Sequence, residues 1–175
     1  ATLWLWKRHL ESPSRGRAVA AGAALGAAMA TKFTGDLLVP VLAAAFWVDH
    51  GGRPSGRPVV VWPALLSTMA VIALAYQGQV GRYFHGHAIA AGLVGAGFPT
   101  YLNGEVSATG FRTYFVQALL MKPTIPFLVL CVWAGVRTRR WGVNETLLLG
   151  SAALLLAAGS LSPTQTGFRY ILPAL

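Results

Sequence analysis

The sequence predicts an all-α, polytopic transmembrane protein whose helices surround a long polar loop on one side of the membrane. The chain is 55% hydrophobic and only 11% charged, whereas soluble domains carry about 25% charged residues. The apolar residues are also gathered into long runs, separated by short connections that are basic or rich in glycine and proline. This alternation is typical of proteins that cross a bilayer several times as helices.

The apolar runs give the order of the helices along the chain. They predict the end of a helix at 1–6, helices at 18–31, 36–49, 59–76, 111–136 and 144–161, and the start of another helix at 170–175. Residues 77–110 are the longest polar stretch, and we expect them to form an outer loop with a short helix or re-entrant piece at 88–94. Because apolar runs stand at both ends of the chain, we expect a fragment of one larger transmembrane domain.

The positive charges indicate the orientation of these helices. The chain has 14 Lys and Arg residues against 5 Asp and Glu residues, a net charge of +9. Nine of the cations lie in three connections, at 7–17, 51–58 and 137–140, which the positive-inside rule places in the cytoplasm. The cations therefore flank membrane helices and do not line one face of a helix, which argues against a nucleic-acid partner. The outer loop then faces away from the cytoplasm.

The remaining five cations are candidates for function. They fall at the outer side or at its membrane boundary, where they work against the insertion rule: Lys32, Arg82, Arg112, Lys122 and Arg169. Arginine binds phosphate oxygens through its planar fork, and lysine supplies a point charge. Five such residues on one face predict a phosphate or pyrophosphate site, and neighbouring tyrosines offer stacking faces and hydroxyls to a sugar.

The turn between the second and third helices carries two charges. The GxxxG spacing of Gly22 and Gly26 permits close helix packing, and the run ends at Lys32 and Asp36. These two residues are four apart, so they either pair with each other or leave Lys32 to face a ligand.

The stretch from Phe98 to Pro126 is predicted to be the wall of an active site. Glu105 is the only acidic residue of the outer loop and is a candidate general base, or a group that binds sugar or orders the loop. Pro123 and Pro126 should break or kink the following helix beside Lys122. The alternative is a plain kinked helix whose lysine snorkels to the interface.

No metal site is predicted from the spacing of potential ligands. His85 and His87 would diverge on a helix, and the single cysteine, Cys131, lies in an apolar run where we expect a buried thiol. A divalent metal as cofactor is left open.

Three stretches carry a resemblance to a known family: LGAAMATKFTG, YLNGEVSATGFRTYFVQALLMKPTIP and TGFRYILPAL. Together they resemble the family-39-like glycosyltransferases of the GT-C superfold, which include protein O-mannosyltransferases and lipid A aminoarabinose transferases. The resemblance implies a helical membrane enzyme that takes a sugar from a polyprenyl-phosphate donor. It would transfer the sugar to a protein, lipid or glycan acceptor on the outer face. The Ala-, Gly- and Arg-rich composition suggests a bacterial inner membrane.

The resemblance also implies roles for individual residues in binding the donor. Lys32 matches the lysine of the family's hairpin motif. Tyr101, Gly104 and Glu105 match its tyrosine-x-x-glycine-glutamate motif. Lys122 matches the lysine before the prolines, and Arg169 and Tyr170 match the arginine-tyrosine pair before leucine-proline. Arg82, Arg112 and Tyr114 complete the expected donor site. The sequence departs from the family's pattern at two places. Lys122 is followed by Pro123 and Thr124, where the family has lysine-threonine-proline, and Gln165 stands where asparagine is common. The family's catalytic acid lies in the first outer loop, upstream of Ala1, so the base is expected outside this chain.

Two other classes of protein remain as alternatives. A secondary transporter would place broken helices and charges at the bilayer midplane within inverted repeats, but the sequence shows no repeat. A non-catalytic scaffold subunit would not need five outer-face cations.

Overall fold

The computed structural model describes residues 1–50, 61–137 and 142–165, and these residues are mostly helical. Their eight α-helices are α1 (Thr2–Glu11), α2 (Arg15–Thr31), α3 (Leu38–His50), α4 (Trp62–Ala75), α5 (Val80–Ala96), α6 (Tyr114–Met121), α7 (Ile125–Arg137) and α8 (Val143–Leu161). A 3₁₀ turn, Phe33–Leu37, joins α2 to α3, and the strands β1 (Thr100–Leu102) and β2 (Glu105–Ser107) form an antiparallel hairpin. The chain divides into two compact units, 1–88 with 142–151 and 89–141 with 152–175.

The closest helix packing in the first unit joins α2 to α4, and it confirms the role predicted for the GxxxG glycines. A Cβ added at Gly26 would lie 2.7 Å from the carbonyl oxygen of Thr68, and one at Gly22 would collide with the backbone of Ala64. The Thr68 hydroxyl also donates a hydrogen bond of 2.9 Å to the carbonyl of Gly22. Since residues 22 and 26 meet residues 64 and 68 in the same order, the two helices run parallel.

Helix α1 packs antiparallel to α2. At one end, the Thr2 hydroxyl donates to the carbonyl of Ala24 at 3.1 Å. At the other end, the Arg17 guanidinium donates to the carbonyl of Ser12 at 2.6 Å. The predicted cytoplasmic loop at 7–17 is therefore partly helical, because α1 continues through Glu11.

His9 is the most enclosed polar residue of this packing. Its side chain is fully buried, with the Trp6 ring 5.8 Å away, and neither ring nitrogen has a hydrogen-bond partner among the described residues. Burial, and then the positive charge of Arg17, lowers the pKa of His9. His9 is therefore held in its neutral form.

The predicted turn between the second and third helices is present, and we call it the tip. Helix α2 ends at Thr31, Lys32 is extended with φ −155°, and Asp36 lies in the 3₁₀ turn that leads into α3. A Cβ at Gly35 would be 2.6 Å from the carbonyl oxygen of Ala28. Glycine is therefore needed here because the chain folds back against the end of α2.

The predicted outer loop, 77–110, contains more regular structure than the sequence suggested, and the all-α fold class omitted its hairpin. Helix α5 covers Val80–Ala96, where only a short helix or re-entrant piece at 88–94 was expected. Glycines made this segment look like a loop, but isolated glycines lower the stability of a helix without preventing it. The hairpin turns at Asn103 and Gly104, with φ values of 50° and 92°, which is the pairing that a two-residue hairpin turn favours.

The break predicted at the prolines is present in the second unit. Helices α6 and α7 meet at an angle of 114°, and Pro123 lies between them because it cannot continue the hydrogen-bond ladder of α6. Cys131, which was expected to be buried, is exposed on α7. That expectation was wrong because no residue of α7 is buried, so its apolar surface is open along its length.

Within the described residues, α8 is long and apolar enough to cross a membrane. The number of candidate membrane spans is three if each of two bent helix pairs, α4 with α5 and α6 with α7, is counted as one broken span. The helices at the predicted spans 18–31 and 36–49 are 17 and 13 residues long, which is short for a bilayer core of about 30 Å. The predicted helix at 170–175 lies outside the described residues.

Candidate functional site

A cluster of polar and aromatic side chains lies where α5 meets the turn between α2 and α3, and we call it the tip cluster: Phe33, Asp36, Tyr83 and His87. The Tyr83 hydroxyl donates a hydrogen bond of 2.5 Å to Oδ1 of Asp36. Nδ1 of His87 lies 3.5 Å from Oδ2 of the same carboxylate. Because Tyr83 and His87 are four residues apart on α5, they share one helix face, and both meet Asp36 there.

Aromatic rings enclose this cluster. The ring of Phe33 packs edge-on against His87, with centroids 5.1 Å apart, and lies 5.8 Å from the ring of Tyr83. Tyr76, just beyond the end of α4, packs edge-on against Tyr83 at 5.7 Å. A Cβ at Gly86 would lie 3.0 Å from the end of the Phe33 ring. The absence of a side chain at position 86 therefore allows α5 to approach the tip closely.

His87 combines a buried inner nitrogen with a partly exposed side chain. Nδ1 is buried and lies 3.5 Å from Oδ2 of Asp36, and it makes no hydrogen bond within the described residues. The side chain as a whole is 42% exposed. Asp36 and His87 therefore contact each other without a hydrogen bond, on a partly accessible side of the cluster.

Two alternatives were expected for Lys32: an ion pair with Asp36, or a side chain that faces a ligand. Asp36 is engaged by Tyr83 and His87, so its role is not limited to being the counter-ion of Lys32. Lys32 is exposed and directly precedes Phe33 of the tip cluster. A positively charged residue thus directly precedes the 3₁₀ turn that carries Asp36.

In the second unit, the hairpin carries three of the predicted donor-binding residues, Tyr101, Gly104 and Glu105. Tyr101 is 67% exposed and Glu105 is also exposed. The turn is fastened to α6 because the side-chain amide of Asn103 donates to that of Gln117 at 2.9 Å. Gly104 adopts φ 92° at the turn, so its place in the motif has a conformational reason. No ion pair of Glu105 lies among the described residues.

The segment that precedes α6 is held by one buried side chain, Gln165. Its Oε1 accepts from the backbone N–H of Phe111, and its Nε2 donates to the carbonyl of Phe111, both at 2.8 Å. Gln165 is only 5% exposed, and Gly110 leaves room for it with φ 76°. The side-chain amide thereby fixes the backbone beside Arg112 and Tyr114.

The other predicted site residues are placed separately. Arg82 is exposed on α5 and Arg112 is exposed before α6, while half-buried Tyr114 begins α6 with its ring against Phe115. Lys122 is exposed at the end of α6, at the break. Arg169 and Tyr170 lie outside the described residues. The described part of the chain holds no group of three His, Cys, Asp or Glu side chains arranged for a metal.

Comparison of the chain with family models, with curated proteins and with solved structures gives no significant match. The functional argument therefore rests on the residues of this chain and on the three motif stretches described above.

The sequence reasoning missed the tip cluster and the role of Gln165. The available signal for the cluster was the i, i+4 spacing of Tyr83 and His87, which is informative only if their segment is recognised as a helix. Asp36 is 47 residues away from Tyr83 in the chain, and no local pattern joins them. Gln165 was noticed only as a departure from asparagine, whereas its amide forms both hydrogen bonds to Phe111.

Proposed function

We propose that this chain is part of a membrane glycosyltransferase. The enzyme would move a sugar from a polyprenyl-phosphate donor to a protein, lipid or glycan acceptor on the outer face of a bacterial inner membrane. The observation that carries the proposal is the position of two lysines. Lys32 directly follows α2 and Lys122 directly follows α6, and each is exposed at the end of its helix. Broken helices with a charge at the break are sites where membrane proteins bind polar ligands.

The chemistry of these residues suits a lipid-linked phosphate. Lysine attracts phosphate as a compact point charge, and Arg112 would add a planar fork of donors. Positive charge beside the departing phosphate stabilises the negative charge that develops on it as the glycosidic bond breaks. The exposed ring of Tyr101 offers a face and a hydroxyl to the sugar, and the apolar surface of α7 suits the prenyl chain.

The resemblance to GT-C enzymes supports the proposed roles of individual residues. On that basis Glu105 lies beside the sugar, and Arg82, Gly104, Tyr114, Arg169 and Tyr170 contribute to the donor site. A divalent metal remains an open part of this proposal.

The test uses the full-length protein in liposomes with a polyprenyl-phosphate sugar as donor. Lys122→Ala should lower sugar transfer about 10²-fold, the loss that follows removal of one group that stabilises developing charge, while insertion into the membrane is unchanged. Arg137→Ala is the matched control, because Arg137 is a cation at the opposite end of α7, where it lies over the ring of Trp133. Equal transfer by the two variants would remove Lys122 from the donor site.

A secondary transporter is the second candidate, because the two bent helix pairs also fit the discontinuous helices of transporters. The same liposomes separate the two functions. Gradient-driven uptake of a solute without sugar transfer would favour the transporter.

A further inference from the structure

We propose that Gln165 is a positioning residue, whose side-chain amide holds Arg112 in the place where it binds the phosphate of the lipid-linked donor. The inference rests on the proposed glycosyltransferase function and deepens it, because it says how the described chain orients one of its donor-binding cations. Gln165 is only 5% exposed, so it acts through the backbone of Phe111 and not by touching the donor.

The first argument is the two-point contact between Gln165 and Phe111. One planar side-chain amide accepts from the backbone N–H of Phe111 and donates to its carbonyl, both at 2.8 Å. Two parallel hydrogen bonds fix the orientation of a group as well as its position. A Cβ added at Gly110 would lie 2.9 Å from Cδ of Gln165, so the glycine allows the amide to come this close to the backbone.

The second argument is the turn that begins at Phe111. Its carbonyl also accepts from the backbone N–H of Tyr114 at 3.0 Å, which closes a four-residue turn around Arg112 and Thr113. Thr113 has φ −88° and ψ −4°, the values of the third residue in a type I turn. Arg112 is therefore the second residue of this turn, and the carbonyl that closes the turn is the one that Gln165 holds.

The third argument is the state of the Arg112 side chain. It is exposed, and the residues at 1–50, 61–137 and 142–165 give its guanidinium no hydrogen bond or ion pair. The rotamers open to a side chain depend on the backbone that carries it, so the turn sets the direction in which Arg112 extends. A planar guanidinium binds two phosphate oxygens at once only when it approaches in the right orientation. Fixing the turn therefore prepares Arg112 for the donor.

The loop that carries Gln165 is fastened separately. The hydroxyl of Thr164 donates to the carbonyl of Val94 on α5 at 2.9 Å, and the Ser162 hydroxyl accepts from the N–H of Thr164 at 3.2 Å. Neither contact involves Phe111. The chain thus offers two neighbouring side chains with different tasks: Thr164 fastens the loop, and Gln165 holds the turn of Arg112.

The kinetic test measures sugar transfer by the full-length protein in liposomes with a polyprenyl-phosphate sugar as donor. Gln165→Met removes both hydrogen bonds to Phe111 and should raise the KM for donor about tenfold, the effect of weakening one hydrogen bond to a charged group. The kcat should change much less, because Arg112 binds the donor and does not transfer a proton. Thr164→Val is the matched control and should keep the wild-type KM. An unchanged KM in Gln165→Met, or an equal rise in Thr164→Val, overturns the proposal.

A double-mutant cycle distinguishes positioning from general damage to the fold. If Gln165 acts through Arg112, adding Gln165→Met to Arg112→Ala should raise the KM for donor no further, because the group that it positions is already absent. If the two substitutions instead raise the KM independently, the amide does not act through Arg112 and the positioning role is refuted.

Gln165→Glu is a second variant that keeps the size and shape of the side chain. Its carboxyl group can donate to the carbonyl of Phe111 only when it is protonated. The KM of this variant, divided by that of the wild type at the same pH, should therefore decrease as the pH is lowered. A ratio that does not change with pH would count against the two-point contact as the cause of the effect.

The wild type separates failure of this inference from failure of the proposed function. If the wild type transfers sugar and Gln165→Met retains its KM for donor, only the positioning role has failed. If the wild type neither transfers the sugar nor binds the polyprenyl-phosphate donor, the glycosyltransferase function has failed, and the positioning role fails with it.

Discussion

The packing of α2 against α4 makes a quantitative prediction about Gly22. In Gly22→Ala, the added Cβ would lie 2.6 Å from the carbonyl carbon of Ala64, and ordinary van der Waals contact begins at 3.4 Å. Because the carbonyl oxygen of Ala64 and the hydroxyl of Ser67 lie closer still to the added Cβ, the two helices must move apart by more than about 0.8 Å at this point, or the backbone of α4 must bend. The same displacement lengthens the 2.9 Å hydrogen bond from Thr68 to Gly22.

The size of the effect follows from two opposing contributions. Overpacking of this kind costs about 1–3 kcal/mol, and the weakened hydrogen bond adds about 0.6 kcal/mol. Replacing glycine by alanine in a helix stabilises by up to about 1 kcal/mol. Gly16→Ala measures the gain in helix propensity alone, because Gly16 is also in α2 and nothing lies within 4 Å of its added Cβ. We expect Gly22→Ala to be less stable than Gly16→Ala by about 1.6–3.6 kcal/mol, the sum of the overpacking and hydrogen-bond costs.

The assay is unfolding of the protein in mixed micelles by increasing SDS, followed by far-ultraviolet circular dichroism. The free energy of unfolding should fall for Gly22→Ala and stay level or rise for Gly16→Ala. Equal values for the two variants would show that α2 and α4 do not approach as closely as described, and the reasoning from their contact would be wrong.

The remaining two predictions concern buried polar groups. Gln165→Met keeps the length of the side chain but leaves the N–H and carbonyl of Phe111 unpaired. It should lower stability by about 2 kcal/mol and accelerate hydrogen exchange at the Phe111 amide, and unchanged exchange would contradict the amide contact. For His9, burial lowers the pKa below its ordinary value of 6.5, so the unfolded chain takes up a proton first as the pH falls. Stability should be at its full value above about pH 6.5 and decrease toward the folded pKa. This slope should disappear in His9→Leu, and a slope of equal size in that variant would assign it to another group.

The features that the sequence predicted correctly are those with a local signal. The spacing of Gly22 and Gly26 indicated a close helix contact, and Pro123 indicated the break after Lys122, because glycine and proline act through the backbone of their own segment. The hairpin also had a local signal, in Asn103 and Gly104, but the high glycine content of the region concealed it.

The features that the sequence did not predict depend on contacts between distant residues. Tyr83 meets Asp36 across 47 positions, and Gln165 meets Phe111 across 54. Such pairs form only once helices and turns have packed, so the spacing of residue types along one segment carries no trace of them. The tip cluster therefore became visible in the packed chain alone.

The break between α6 and α7 has a consequence for what can occupy its surroundings. Pro123 brings no N–H, so the carbonyl of Leu119 lacks the donor that an uninterrupted helix would supply four residues later. Hydrocarbon cannot satisfy this oxygen, and leaving it bare inside a bilayer costs several kcal/mol. A group with a hydroxyl or N–H must therefore lie next to the bend to donate to this carbonyl, and a lipid tail cannot occupy that place.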